Sequence, residues 1–424
     1  MKRLLIVLAI AVLAVAALVV FLSLGDQERI QDVPDQPVAS AQLVARGAYL
    51  ARVGNCMGCH TARGGAAYAG GRAIETPFGS VYSSNLTPDA GTGIGDWSAD
   101  AFWRALHNGR SRNGRLLYPA FPYPNYTMVT RADSDALHAF LRSQPKVRQA
   151  NKEHGVRWPF SSQSALAVWR ALYFRPGPYQ QDPRQSADWN RGAYLVNGLG
   201  HCSACHTQRN ALGANADMMD LSGGLIPMQN WYAPALNSPA EAGVAAWPLE
   251  QVERVLQTGI SPRGSVLGPM AQVVLDSTQH WNQDDLRAVG VYLKALPQST
   301  PPQPQAPAQV NTVVAARGAK LYEQHCVQCH GDQGQGIAGA YPSLAGNRAV
   351  LMDASANLVQ IVLNGGFAPA TAGNPRPYGM PPYVLLLSDA DVAAVLTHIR
   401  TSWGNRAPLV SELDVSRQRS SGSQ

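Results

Sequence analysis

Six cysteines occur in the 424-residue chain, and they form three pairs. Each pair is spaced Cys-x-x-Cys and followed directly by histidine: Cys56, Cys59 and His60; Cys202, Cys205 and His206; Cys326, Cys329 and His330. Two thiols one helical turn apart can add to the two vinyl groups of a haem as thioethers, and the next histidine then lies under the ring as an axial iron ligand. Structural zinc sites use similar cysteine and histidine pairs. With 10 histidines in 424 residues, a histidine stands at a given place about once in 40, so three out of three by accident is about one in 100,000. A disulfide suits an oxidising compartment but leaves the three histidines without a role. The pattern predicts three covalently bound haem c groups.

The sixth iron ligand decides what such a haem does. A second protein ligand favours electron transfer, and an open position favours ligand binding or catalysis. Methionine thioether is soft and raises the potential of the couple. Met380, in Tyr378-Gly379-Met380-Pro381-Pro382, follows His330 by 50 residues, and Met270, in Leu267-Gly268-Pro269-Met270, follows His206 by 64. Both sit on Gly/Pro-rich loops at equivalent places, where a core methionine has little packing reason to recur. They are the predicted axial ligands of the third and second haems. Met218, Met219 and Met228 follow the second motif too soon, as Met352 follows the third. For the first haem Met57 lies inside the motif itself, so Met128 is the candidate, with His107, His138 or an open position as alternatives. His201 and His325 directly precede a cysteine and are read as shaping the haem pocket, while His154, His280 and His398 are read as surface or core.

The elements that must hold these residues repeat as well. Arg46-Gly47-Ala48-Tyr49-Leu50, Arg191-Gly192-Ala193-Tyr194-Leu195 and Arg317-Gly318-Ala319-Lys320-Leu321 each precede a haem-type motif by a similar distance. A Gly/Pro-rich stretch follows each motif, then an amphipathic helix pattern at Ser134 to Arg142, Asp285 to Leu296 and Asp389 to Arg400. Each unit thus reads as helix, motif, long loop, helix, and the chain as mainly α. The three arginines could pair with haem propionates or stand as solvated helix starts. The boundaries run 26–44 for a polar stalk, 45–150, 189–297 and 312–405 for three haem-binding domains, 151–188 for a connector and 298–311 for a Pro-rich linker. Within the connector, Ser164 to Phe174 has a helical apolar pattern suited to packing on a neighbouring unit, and in the 406–424 tail Ser416 to Gln424 reads as disordered.

Met1-Lys2-Arg3 precedes Leu4 to Leu24, apolar apart from Ser23. A helix of that length covers about 30 Å, the thickness of a bilayer core. The run is longer than the roughly 7 to 15 apolar residues of a cleaved signal and lacks a clean Ala-x-Ala. Residues 1–25 are therefore predicted to be a transmembrane anchor with Lys2 and Arg3 in the cytoplasm, which places the rest on the periplasmic face of a bacterial inner membrane. The charged fraction of 15%, with 39 glycines and 30 prolines, describes a globular, loop-rich head and excludes a disordered polyelectrolyte. A net charge of +6 without a run of five Lys or Arg argues against nucleic acid as a partner. The sequence shows no Gly-x-Gly-x-x-Gly dinucleotide loop after a strand, no Walker loop and no His-Glu-x-x-His, so haem is its only visible chemistry.

Three motifs after an anchor, Asn85-Leu86-Thr87-Pro88 and Gly93-Ile94-Gly95-Asp96-Trp97-Ser98 after the first, and Leu117-Tyr118-Pro119-Ala120-Phe121-Pro122-Tyr123 before its last helix together resemble a known family. It is that of triheme cytochrome c subunits of membrane-bound periplasmic dehydrogenases, and the likeness covers nearly the whole chain. The resemblance implies three consecutive cytochrome c-like domains and no catalytic site on this chain. It implies electrons passing from a quinoprotein, flavoprotein or molybdoprotein catalytic subunit to ubiquinone or a terminal oxidase. It also implies His60, His206 and His330 as proximal ligands with Met270 and Met380 distal. Many relatives have Pro-Ala-Met-Pro-Tyr where this chain carries Phe121, a departure that falls on the first haem's distal side. A haem enzyme such as a peroxidase, or a free-standing electron shuttle, is the alternative reading.

Overall fold

A computed structural model of the protein describes residues 39–215, 220–300 and 309–421, with Arg3 and Ile6. The expected anchor apart from those two residues, the stalk up to residue 38, Met218 and Met219, most of the Pro-rich linker and the last three residues lie outside the described residues. Among the described residues no helix is long and apolar enough to cross a membrane. The chain divides into two compact units, one of Met1–Asp182, Tyr194–Ala204 and Asn210–Met218, the other of Pro183–Ala193, Cys205–Arg209 and Met219–Gln424. The elements are mainly helical, with short two- and three-stranded sheets.

In the first unit the helix Ala41–Val53 starts where the Ser40 hydroxyl accepts from the Leu43 amide. It packs on the helix Arg131–Arg142, which Thr130 caps in the same way. The crossing is close enough that a Cβ at Gly47 would lie 1.9 Å from the Ala136 carbonyl oxygen, so only glycine fits there. Leu50, Leu137 and Leu141 are buried at this crossing, each worth about 1.5–3 kcal/mol of transfer free energy. Ala73–Thr76, Gly79–Tyr82 and Gly155–Val156 form an antiparallel sheet in sequence order, with Ile74 opposite Val81. The connector forms the expected helix, Gln163–Tyr173, whose buried Leu166 and Ala167 pack on Leu116 and Tyr118.

The second unit holds two further helix pairs of the same kind. Ala187–Tyr194 meets Gln283–Lys294, and Thr312–His325 meets Asp389–Thr401. A Cβ at Gly192 would lie 2.1 Å from Ala288 O, and one at Gly318 would lie 2.3 Å from Ala394 O. Tyr322, Val359, Leu396 and Ile399 are among the buried residues of the core around the last pair.

Two expectations are corrected. The long loop of each repeat contains a further helix, at Ala99–Asn108, Leu249–Thr258 and Ala356–Asn364. The first is capped by Ser98, and each ends on a positive-φ glycine: Gly109, Gly259 and Gly365. The tail read as disordered carries the helix Glu412–Ser421. The Ser411 hydroxyl accepts from the Asp414 amide, the Asp414 carboxylate accepts from the Ser411 amide, Val415 is fully buried, and Arg419 pairs with Asp389 at 2.6 Å.

Candidate haem centres

The short helix Cys56–His60 follows the first long helix through Gly54 and Asn55, the latter at φ +49. Gly58 lies so close to Asn55 that a Cβ would sit 2.5 Å from its Oδ1, which packs the motif into a tight turn. His60 places Nδ1 2.7 Å from the Ser84 carbonyl oxygen, and its own carbonyl accepts from the Gly70 amide at 2.8 Å. An Nδ1–H donated to a carbonyl fixes the tautomer and leaves Nε2 as the free lone pair. Burial lowers the His60 pKa against the opposing pull of the Ser84 carbonyl, so the ring stays neutral and able to ligate.

The same two contacts recur at the other motifs. His206 Nδ1 lies 2.7 Å from Pro234 O, and Gly223 donates to His206 O at 2.8 Å. His330 Nδ1 lies 3.0 Å from Pro342 O, and Gly336 donates to His330 O at 2.8 Å. Burial lowers the pKa of both rings as well. None of the six cysteines is joined in a disulfide; Cys59 and Cys205 are exposed and the others half-buried. Burial pushes the Cys56 thiol up to about 12 and the Cys326 thiol to about 11. Among the described residues no three His, Cys, Asp or Glu side chains converge as a metal cage. The two cysteines and the following histidine of each motif, with Nε2 left free, fit the covalent and axial attachments that a haem c would need.

At the third motif the structure brings a full set together. Cys326, Cys329, His330 and Met380 line one cavity of about 1240 Å³ within the second unit. That volume exceeds the roughly 300–1,000 Å³ of ordinary small-ligand pockets and suits a group of porphyrin size. Met380 stands on the two-residue strand Gly379–Met380, paired with Gly366–Phe367, and packs on the core. Tyr383, in the same lining, donates its hydroxyl to His325 O at 2.8 Å. Met270 occupies the first turn of the helix Pro269–Asp276, half-buried. Met128 follows the one-turn helix Tyr123–Tyr126, and a Cβ at Gly198 would lie 3.3 Å from its Cβ. The pairing of Met270 with His206 and of Met128 with His60 rests on chain order.

Several side chains fall elsewhere than expected. Arg46, Arg191 and Arg317 are committed to aspartates at the third position of each closing helix. Arg46 pairs with Asp133 at 2.5 Å, Arg191 with Asp285 through two bonds of 2.7 and 2.8 Å, and Arg317 with Asp391 at 2.8 Å. They brace the helix crossing. His138, an alternative first-haem ligand, engages Nε2 with Trp97 O at 3.2 Å and packs on the Phe102 ring. His107, another alternative, stacks on Trp103 with ring centroids 4.5 Å apart. His201 turns Nδ1 toward Leu199 O at 3.0 Å at φ +41, which redirects the chain into Cys202.

One residue of the Asn85-Leu86-Thr87-Pro88 motif has a positioning role that the sequence reading does not assign. Asn85 accepts from the Thr87 amide at 2.9 Å and donates to Val147 O at 2.8 Å, which holds the loop so that the neighbouring Ser84 carbonyl faces His60. Its signal is an asparagine two residues before a threonine, an Asx turn.

The family model described as cytochrome c matches residues 44–145 and 315–403. The chain is 39% identical to the cytochrome c subunit of a quinone-dependent alcohol dehydrogenase of Gluconacetobacter polyoxogenes, over 91% of this chain and 86% of that protein. It is 38% identical to the gluconate 2-dehydrogenase cytochrome c subunit of Pantoea cypripedii, over 87% of each. It is 43% identical to a subunit of the nicotinate dehydrogenase of Pseudomonas putida over 85% of this chain, which corresponds to 30% of that longer protein. The fructose dehydrogenase cytochrome subunit of Gluconobacter japonicus is similar too, at 32% identity over 97% of this chain and 90% of that protein. The chain therefore belongs to the cytochrome c family, whose members bind haem c covalently, and within it to the cytochrome c subunits of alcohol, gluconate and fructose dehydrogenases.

Proposed function

We infer that this chain is a membrane-anchored triheme c-type cytochrome that passes electrons from a periplasmic dehydrogenase catalytic subunit to ubiquinone or a terminal oxidase. The observation that carries the reading is the threefold recurrence of one local design. In each repeat the histidine after Cys-x-x-Cys aims Nδ1 at a carbonyl, which leaves Nε2 for iron, and receives a glycine amide on its own carbonyl. Bound haem supplies a one-electron iron couple.

In this reading Cys56, Cys59, Cys202, Cys205, Cys326 and Cys329 hold three haems, each thiol adding its sulfur to one vinyl carbon and its hydrogen to the other. His60, His206 and His330 are the proximal ligands, and Met128, Met270 and Met380 the distal ones. Three domains, 45–150, 189–297 and 312–405, carry one haem each. Residues 1–25 anchor the chain in the inner membrane with the haem domains in the periplasm, near a membrane acceptor. The names of the relatives support a dehydrogenase partner, whether quinoprotein, flavoprotein or molybdoprotein.

Purification from native membranes in mild detergent tests this. A stoichiometric catalytic subunit carrying its own cofactor, whose substrate then reduces the haem bands, is expected. A chain that comes alone and turns over peroxide instead contradicts the carrier role.

A further inference from the structure

The cavity at Cys326, Cys329, His330 and Met380 has an unbalanced charge. Three arginines line it, Arg254, Arg263 and Arg348, and among the described residues no aspartate or glutamate does. Arg254 and Arg263 belong to the second repeat, and Arg348 to the third. Arg348 stacks its guanidinium over the Trp247 ring at 5.2 Å and donates Nη1 to Pro239 O at 3.0 Å and to Gly243 O at 2.7 Å. This fixes the plane of the group while Nε and Nη2 retain donors for another acceptor. Arg263 sits on the turn between the strands Ile260–Ser261 and Gly264–Ser265, exposed, with its backbone amide on Ser261 Oγ. Burial, and then the neighbouring Arg263 guanidinium, push the Arg348 pKa down. Two like charges held near one another over one cavity are unfavourable unless an anion lies between them.

Resting on the reading that a haem is attached at Cys326 and Cys329, we propose that Arg263 of the second repeat and Arg348 of the third together receive the two propionate carboxylates of that haem. Of the three guanidiniums, those of Arg263 and Arg348 would each meet one propionate carboxylate, whose geometry their forked donors match. A consequence is that the second repeat completes the third haem's binding site. A nearby cation stabilises the ferrous state, which carries one positive charge fewer, relative to the ferric state; losing the cation therefore destabilises the electron-rich complex and lowers its potential.

The test is spectroelectrochemical titration of the full haem-loaded chain in detergent, with the third haem's component identified as the one that disappears in the Cys326→Ser, Cys329→Ser double variant. Arg263→Gln is expected to move that component alone to lower potential, Arg348→Gln to do the same, and Arg263→Lys to restore part of the shift. Lys320→Gln, which removes a charge outside the cavity lining, is expected to leave it in place. Should Arg348→Gln fail to fold, the exposed Arg263→Gln still decides. An unmoved third component in an Arg263→Gln protein with full haem content overturns the proposal, as does an equal shift in Lys320→Gln or a shift in a different haem. If peptide mass shows Cys326 and Cys329 without haem in the native chain, the underlying reading fails and the proposal with it.

Discussion

His206 directs its Nδ1 to the carbonyl oxygen of Pro234 at 2.7 Å, which orients the ring and leaves Nε2 as the nitrogen able to bind iron. Replacing His206 by alanine is expected to leave a haem attached through Cys202 and Cys205 but without its strong-field imidazole. One haem's share of the sharp low-spin absorption should be lost, and added imidazole should restore it. An unchanged spectrum would place the iron ligand elsewhere.

Arg191 and Asp285 join the two helices of the second repeat, with the Asp285 side chain 6% and the Arg191 side chain 34% exposed. A fully buried pair broken on one side costs about 3–5 kcal/mol, and the solvent at Arg191 reduces this. Asp285→Asn is therefore expected to cost about 1–2 kcal/mol, read as a lower unfolding temperature of the haem-loaded protein with haem content retained. No change in unfolding temperature would show that the pair is decorative.

His138 is buried and neutral, its pKa lowered from 6.5 to about 4 by burial first and then by Arg142. The folded state thus binds fewer protons than the unfolded state between these values, so stability is complete above pH 6.5 and falls as the pH drops from 6.5 toward 4. The full loss is roughly 3 kcal/mol. Unfolding midpoints measured between pH 4 and 7 should flatten in His138→Gln. An identical pH slope in the variant would remove His138 from the account.

Met380 lines the cavity that holds His330, whereas Met270 is assigned by its place in the repeat. Replacing either by alanine is expected to lower the potential of one haem, since the thioether favours the ferrous state. Each variant should move a different component in a redox titration. Unmoved curves would mean that the ligand is another residue.

The chemistry was legible before the fold because covalent attachment demands fixed residue types at fixed spacing. The closing helices were legible too, offset by two or three residues where Thr130 and Asn282 cap earlier than the apolar pattern begins. The arginines were not, because a guanidinium before a helical glycine matches a propionate as well as a carboxylate 87 residues away. The repeated glycine now has a reason in the helix crossing, where Gly47, Gly192 and Gly318 face a backbone carbonyl. The tail helix escaped notice because its burial rests on Val415 and its cap on Ser411, single residues in a polar stretch. The Asn85 loop escaped because its role lies in aiming the carbonyl of the residue before it.

The most direct measurement of the central claim is the mass of the full chain and of its cysteine peptides after expression in a host that matures c-type cytochromes. The account predicts three added haems, one on each Cys-x-x-Cys-His, with no cysteine open to alkylation. A chain with fewer haems, or with any of the three cysteine pairs alkylated, would contradict it.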